Sequence, residues 1–262
     1  MDIIRSKDNS KIKYVRSLSS KKGRDEENAF IVEGIKFVNE AFIENSDIMY
    51  LMFSESALKR AEVKGLYNYS LEYGTEAVIC EDSVFNSAAD TMNAQGVLAV
   101  IKQKENIKVI DEYKFVIMCD RIQDPGNLGT IIRTADAFGP AAVIINKGCA
   151  DAYNPKVVRA SAGAIFRIPF IHADSDEEII KQLKESGYMI ISTVVDSQYS
   201  FDDIDMHERI CVVIGNEGQG VSREICESSH KNITIKMSGR AESLNASIAA
   251  GISIYEIRKK LL

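Results

Sequence analysis

No apolar run in the 262-residue chain approaches the roughly 18 residues that a membrane-spanning helix needs. The first residues, MDIIRSKDNSKIKYV, lack the apolar core of a secretion signal, so the protein is expected to stay in the cytoplasm where it is made. Five cysteines are scattered, with no C-x-x-C pair. Cys80, Cys119 and Cys211 sit in or beside apolar runs and read as buried thiols of a reducing compartment. The three histidines lie far apart, so no metal site is expected. Internal repeats and low-complexity segments are missing too. What is present is ordinary for a folded protein: 45% hydrophobic and 27% charged residues, enough for one large domain or two small ones.

The net charge of −6 argues at first against nucleic acid, but its distribution is uneven. Residues 1–24 hold eight basic residues against two acidic ones, a net of +6, which leaves −12 on the rest. A basic arm on an acidic body suits phosphates. A solvated charged terminus explains the same numbers.

Two halves emerge along the chain. In the first, residues 11–19 and 35–45 have helical spacing, and residues 29–34, 47–55, 76–81 and 96–103 read as strands. Residues 102–112 are polar and charged, as in a linker. The second half alternates regularly. Strands are predicted at 115–120, 141–146, 165–171, 188–195, 209–215 and 232–237, with helices between them. The clearest helix spans 175–187, with Ser175 and Glu178 as a capping box and Gly187 as its stop. Apolar strands separated by helices imply a mostly parallel sheet covered on both faces, with ligands beyond the carboxyl ends of the strands.

Three loops carry candidate chemistry. After the 115–120 strand, DRIQDPGNLGTIIRTADAFG places a Pro125-Gly126 turn before Asn127, with Arg133 within the following helix. The loop VVIGNEGQGVS, residues 212–222, puts Glu217 among three glycines; it is neither G-x-G-x-x-G nor a Walker A loop, so phosphate cradling is poorly supported. A carboxylate there suggests a cationic partner. The third stretch, MSGRAESLNASIAAG at 237–251, leads into a helix whose start can present Ser243 and Asn245, with Leu244 between them for an apolar moiety. Ala246, Ala249, Ala250 and Gly251 keep that helix thin. A plain terminal helix capped by a serine accounts for the small residues but leaves Asn245 idle.

At these loops the sequence resembles the SpoU (TrmH-like) family of RNA ribose 2′-O-methyltransferases, within the SPOUT superfamily. The motifs stand here as DPGNLGTIIRTADAFG, VVIGNEGQG and IKMSGRAESLNASIAAGISIYE, with NPKVVRASAGAIFRIP at 154–169 fitting the family's middle segment. The resemblance implies an α/β domain over 107–262, a mostly parallel sheet of SPOUT type with a C-terminal trefoil knot from about residue 209. It implies a small L30e-like α/β substrate-binding domain over 1–106. It also implies S-adenosyl-L-methionine as cofactor, RNA as partner, no metal, and a homodimer whose active sites draw on both subunits. Ribosomal RNA, 23S in particular, is favoured over transfer RNA. A resistance-type target and a member without turnover stay open. A nicotinamide oxidoreductase on a plain Rossmann sheet is disfavoured by the missing G-x-G-x-x-G.

Carried over by position, the resemblance gives Asn127, Arg133, Glu217, Ser243 and Asn245 as catalytic residues. It gives Thr193, Val194, Gly215, Asn216, Gly220, Ile235, Met237 and Leu244 around the cofactor. It implies a general-base role for Arg133, whereas a guanidinium is effectively always protonated in proteins. Arg133 is therefore expected to act as a cation, with Glu217 orienting it or a neighbouring donor. RNA contacts are expected from Arg16, Lys21, Lys22 and Arg24 of the basic arm, and from Arg159.

Overall fold

The computed structural model describes residues 3–91, 94–104, 110, 112–139, 141–205 and 207–261. In chain order the strands and helices are β1 (Ile3–Ile4), α1 (Ser10–Ser17), α2 (Lys21–Glu27), β2 (Ala29–Glu33), α3 (Ile35–Ile43), β3 (Ile48–Ser54), α4 (Ala61–Glu72), β4 (Ala77–Cys80), α5 (Asp82–Ala88) and β5 (Val97–Lys102). They continue with β6 (Phe115–Cys119), α6 (Pro125–Ala137), β7 (Ala142–Asn146), α7 (Pro155–Ala160), β8 (Phe170–Ala173), α8 (Asp176–Glu185), β9 (Met189–Thr193), β10 (Ile210–Ile214), α9 (Arg223–Ser228), β11 (Lys231–Ile233) and α10 (Ala246–Leu261). The chain divides into two compact units, one of residues 1–104 with 153–166, the other of 105–152 with 167–262.

The first unit is a five-stranded sheet in the order β1-β4-β3-β5-β2. β1, β4 and β3 run parallel, and β5 runs antiparallel to both β3 and β2. The basic N-terminal segment is folded into this unit and is no free arm. Ile12, Val15 and Leu18 of the α1 region are fully buried against Ile31, Met52 and Val100. Asn9 caps α1 by accepting the Lys11 N–H at 2.9 Å.

The helix α2 escapes an apolar-period reading because KKGRDEE buries only Gly23 and Arg24. Its start is set by Ser20, whose hydroxyl accepts the Gly23 N–H at 3.1 Å. Its end is set by Asn28 in the left-handed region. Lys21 pairs with Asp25 and Lys22 with Glu26, one turn on, so three acidic residues at 25–27 offset the charge counted in 1–24. Arg24 is a correction to the expected RNA contacts. It is 2% exposed, and its Nη1 donates to the Leu18 and Ser19 carbonyls at 2.8 and 2.9 Å. It closes the C-terminal end of α1, where carbonyls have no helical partner and a cation is favoured.

Residues 153–166 lie far along the chain but belong to this first unit. The Tyr153 ring sits 4.7 Å from that of Phe30, and its hydroxyl accepts the Lys104 N–H at 3.1 Å. Arg159, on α7, pairs with Asp90 at 2.6 Å. The sequence places 154–169 with the second half; compactness places most of it with the first. The charged stretch read as a linker, 102–112, begins inside β5, and its residues 105–109 and 111 lie outside the described residues.

The second unit is an all-parallel sheet in the order β11-β9-β10-β6-β7-β8. Its strands are near-continuous Val, Ile, Met and Cys because both faces are covered. Val116, Met118, Ile144, Ile190 and Val213 pack with Leu183 of α8 and Ile225 of α9 in one core. Cys119 and Cys211 are fully buried there, Cys80 is buried in the first unit, and all five thiols are free. The fold is thus mixed α/β with a mostly parallel sheet. Ser175 caps α8 by accepting the Glu178 N–H at 3.3 Å, and Gly187 follows it at φ +73°. Among the described residues no helix is long and apolar enough to cross a membrane.

In the first unit β1 was not expected, and in the second unit two strands differ from expectation. The segment 165–171 begins as a 3₁₀ turn over Ala164–Phe166, and β8 starts only at Phe170, after Pro169, whose missing N–H cannot join the ladder. Arg167 instead turns its guanidinium onto Asp136, with Nε at 3.0 and Nη2 at 2.8 Å from the same oxygen. The segment 232–237 pairs only to Ile233; Thr234 leaves the ladder, its N–H going to the Tyr199 carbonyl and its hydroxyl to Val195.

Truncating a buried guanidinium strands two carbonyls. Arg24→Ala is therefore expected to destabilise the first unit by about 1.5–3 kcal/mol, read as a lower unfolding temperature by calorimetry, whereas Lys22→Ala should leave that temperature within a degree or so of the unaltered protein.

Candidate active site

Strand order reverses beside β6: β7 and β8 follow on one side, β10 and β9 on the other. In an open parallel sheet that switch point, at the carboxyl ends of the strands, opens a crevice for ligands. β6 and β10 lie in register from Phe115↔Ile210 to Cys119↔Ile214, so their outgoing loops begin side by side. A cavity of about 310 Å³ opens next to it, one strand further along, lined from the ends of β9 and β10 and from residues 234–249. That lies at the lower end of the usual range for small-molecule sites.

The eight residues expected around a cofactor, Thr193, Val194, Gly215, Asn216, Gly220, Ile235, Met237 and Leu244, all line this one cavity. Gly215 owes its identity to close approach. A Cβ there would stand 2.1 Å from the Val221 nitrogen and 2.2 Å from the Gly220 carbonyl carbon. Gly251 is different: a Cβ would meet only the Thr134 methyl at 3.9 Å, an ordinary contact. Of the thin helix face, Ala246 and Ala250 are the members packed into the interior.

The five expected catalytic residues divide. Three join in one hydrogen-bonded chain. Asn245 precedes α10 and caps it, its Oδ1 accepting the Ser247 and Ile248 N–H groups at 2.9 and 3.3 Å. Its Nδ2 donates to Asn127 Oδ1 at 2.9 Å. Asn127 Nδ2 donates in turn to Glu217 Oε1 at 2.9 Å. Asn245, not Ser243, is thus the helix cap, and it is not idle. Ser243 lies in the irregular stretch before α10 and lines the cavity with Glu217 and Leu244.

Glu217 has no cationic partner among the described contacts. Its carboxylate accepts the Gln123 and Asp124 N–H groups at 3.3 and 3.2 Å, besides Asn127. Burial pushes its pKa up, but the Asn127 amide and the surrounding backbone N–H groups outweigh that and hold it below the ordinary value. Pro125 and Gly126 are the first turn of α6 and not a turn before it. Asp124 is the cap, accepting the Asn127 N–H at 2.8 Å. Arg133 stands apart: it is exposed, outside the cavity lining, and its guanidinium makes no hydrogen bond or ion pair with the described residues.

The sequence profile of the SpoU rRNA Methylase family matches residues 114–255, more than half of the chain. The chain belongs to the SpoU rRNA methylase family. A second profile, the MRM3-like substrate binding domain, matches residues 9–99, within the 1–106 span read as L30e-like. The 23S rRNA (guanosine(2553)-2′-O)-methyltransferase RlmP of Bacillus subtilis is 32% identical over 258 residues, 98% of this chain and 100% of its own. An AdoMet-bound rRNA methyltransferase from Sinorhizobium meliloti superposes with a TM-score of 0.87 at 29% identity, covering 100% of this chain and 98% of that one. The SpoU methyltransferase AviRb from Streptomyces viridochromogenes, in complex with AdoMet, gives 0.84 at 25% identity over 96% and 98%.

Sequence reasoning passed over three positions that shape this SpoU site. Asp124 was readable as a cap, since Asp-Pro before a helix is a start signal. Asp120 and Arg121 were not, because nothing in a lone Asp-Arg after a strand says that the carboxylate is fully buried. Among the described residues no cluster of His, Cys, Asp and Glu is arranged to hold a metal ion.

Two substitutions report on this geometry. Gly215→Ala is expected to weaken S-adenosylhomocysteine binding by about ten-fold or more, ~1.4 kcal/mol, in calorimetric titration, with the circular dichroism spectrum unchanged. Asn127→Ala removes a donor from Glu217, so that carboxyl's pKa should rise. A carboxylate with a depressed folded pKa stabilises the loop above its unfolded value and loses that contribution as pH falls through the folded one. The acid limb of binding should therefore move to higher pH in Asn127→Ala.

Proposed function

We propose that this protein transfers a methyl group from S-adenosyl-L-methionine to a ribose 2′-hydroxyl of RNA, in 23S ribosomal RNA, in the cytoplasm. The observation that carries the reading is one cavity beyond the carboxyl ends of β9 and β10, directly beside a hydrogen-bonded chain of two amides and a carboxylate. The near full-length similarity to a methyltransferase named for 23S rRNA supports the choice of target.

The cavity suits the cofactor. It is mainly apolar and backbone-lined, with Leu244, Ile235, Met237 and Val194 for an adenosine, and Gly215 lets the Gly220–Val221 backbone fold back against the strand end to form the cavity wall, which any Cβ would obstruct. When bound, S-adenosylmethionine supplies an electrophilic methyl on a sulfonium. The chain's own residues then have to place the 2′-oxygen and manage its proton. Glu217 is ionised and engaged with three N–H donors, so it serves as an anchor and not as the base. Asn127 and Asn245 each keep a second amide N–H, which can orient the ribose or its phosphate.

Arg133 works as a cation that fixes the target phosphate and lowers the hydroxyl's pKa. Its lack of a bonding partner among the described residues supports a homodimer in which Arg133 serves the partner's cavity. Exposed Phe138, Ile248 and Tyr255 along the α6 and α10 pair, with the Phe138 and Tyr255 rings 5.9 Å apart, give that dimer an apolar face. The trefoil knot from about residue 209 belongs to the same reading, supported by Ala246 and Ala250 where α10 enters the interior. RNA contacts fall to the exposed Arg16, Lys21 and Lys22, and to Arg159 once it releases Asp90.

Labelled methyl transfer to separated ribosomal and transfer RNA from a strain lacking the protein, followed by nucleoside analysis, tests the reading. A 2′-O-methyl nucleoside in the 23S pool is expected. Its appearance in transfer RNA alone would move the target, and transfer to neither would favour a member without turnover. Arg133→Lys should lose at least about ten-fold in turnover, since an ammonium lacks the planar fork; full retention would refute the need for it. Replacing Lys21 and Lys22 by Ala should flatten the salt dependence of RNA binding by up to about two units of log–log slope.

A further inference from the structure

The loop that carries Glu217 contains three glycines within six residues, and glycine holds no shape by itself. Its form is imposed from the end of β6. Asp120, fully buried, accepts the Ser222 N–H at 2.7 Å. Arg121 grips that carboxylate, Nε to Oδ1 at 3.0 Å and Nη2 to Oδ2 at 3.3 Å. The same guanidinium reaches Gln219 Oε1 at 3.3 Å and the Gly220 carbonyl at 3.5 Å. The Arg121 carbonyl accepts from Asn216 Nδ2 at 2.8 Å. Asn216 Oδ1 in turn accepts the Gly218 and Gln219 N–H groups at 2.9 and 3.0 Å. Anchors at Asn216, Gln219, Gly220 and Ser222 therefore all lead to one dipeptide.

Arg121 also stands at φ +55°, a conformation that residues with side chains rarely adopt. Such an outlier persists only where its surroundings over-determine it, and it clusters at functional sites. The left-handed turn lets a single residue offer its carbonyl to Asn216 and its side chain to Asp120, Gln219 and Gly220.

We propose that Asp120 and Arg121 are positioning residues, a latch that pre-shapes the 216–222 loop along the cavity before any ligand enters. Its effect on turnover rests on the cofactor reading of that cavity; the latch itself does not. Arg121→Gly suits the left-handed backbone and removes the fork, while Arg121→Lys keeps a cation without the fork.

Three measurements on the full-length protein decide it. In Arg121→Gly, amide hydrogen exchange over 216–222 in ligand-free protein is expected to quicken by about ten-fold, while the amides of β6 and β10 keep their slow exchange. The KM for S-adenosylmethionine should rise about five-fold, more than kcat falls, and Arg121→Lys should lie between the two. Unchanged exchange in Arg121→Gly overturns the latch. So does a lowered unfolding temperature with KM unmoved, the signature of a merely structural residue. If the unaltered protein binds no S-adenosylhomocysteine, the cofactor reading falls, and the exchange comparison alone decides the latch.

Discussion

The site depends on a directional chain of hydrogen bonds that is fixed at both ends. At one end the N-terminus of α10 presents N–H groups, which only the carbonyl oxygen of Asn245 can accept. At the other end Glu217, an ionised carboxylate, can only accept, and so takes the Asn127 amide nitrogen. Between them, Asn127 and Asn245 have one way to face each other, nitrogen of one to oxygen of the other. The orientation of each amide thus follows from the chemistry of the ends and is not a free choice. Aspartate at either position would set an acceptor against an acceptor. The three segments joined here are the start of α6, the loop after β10 and the start of α10, so one polar chain ties together parts of the sequence that lie 90 and 118 residues apart.

Much of the sheet was legible because its strands are long apolar runs bounded by clear breaks, and such runs carry their own edges. The errors fall where a local feature competes with the run. Pro169 delays β8, and Thr234 turns its polar groups out of β11. The helix α2 was missed because its determinants are a capping serine, a left-handed Asn28 and two ion pairs one turn apart, with no apolar stripe. At the site, the gathering of the eight cofactor-lining residues around one cavity could be expected from the motifs, whereas the position of Arg133 outside that cavity could not. Who bonds to whom could not. Glu217 among glycines suggested a cation, yet it is met by an amide and backbone N–H groups, because the loop after β6 brings its helix start to that carboxylate.

Charge shows the same limit. Counting Lys and Arg over a window treats them alike, but Arg24 and Arg133 could hardly differ more. One is sealed inside the first unit, terminating a helix. The other stands exposed on α6, with no bonding partner among the described residues. A guanidinium serves in either place because it stays charged and its five donors can satisfy carbonyls in the interior as readily as phosphate outside. Only burial tells the two uses apart, and burial is not written in a charge count.

The membership of residues 153–166 in the first unit bears on how the chain is made. Synthesis runs from the N-terminus, and most domains can fold as they emerge. Here the first unit lacks Tyr153, the partner of Phe30, until roughly fifty residues after its main body has been translated, and by then residues of the second unit have been made as well. The nascent chain must therefore carry an unfinished first unit while the next is under way. Gene fusions that cut once between the halves inherit the same gap permanently, so a graft of this unit onto another protein has to bring both of its pieces.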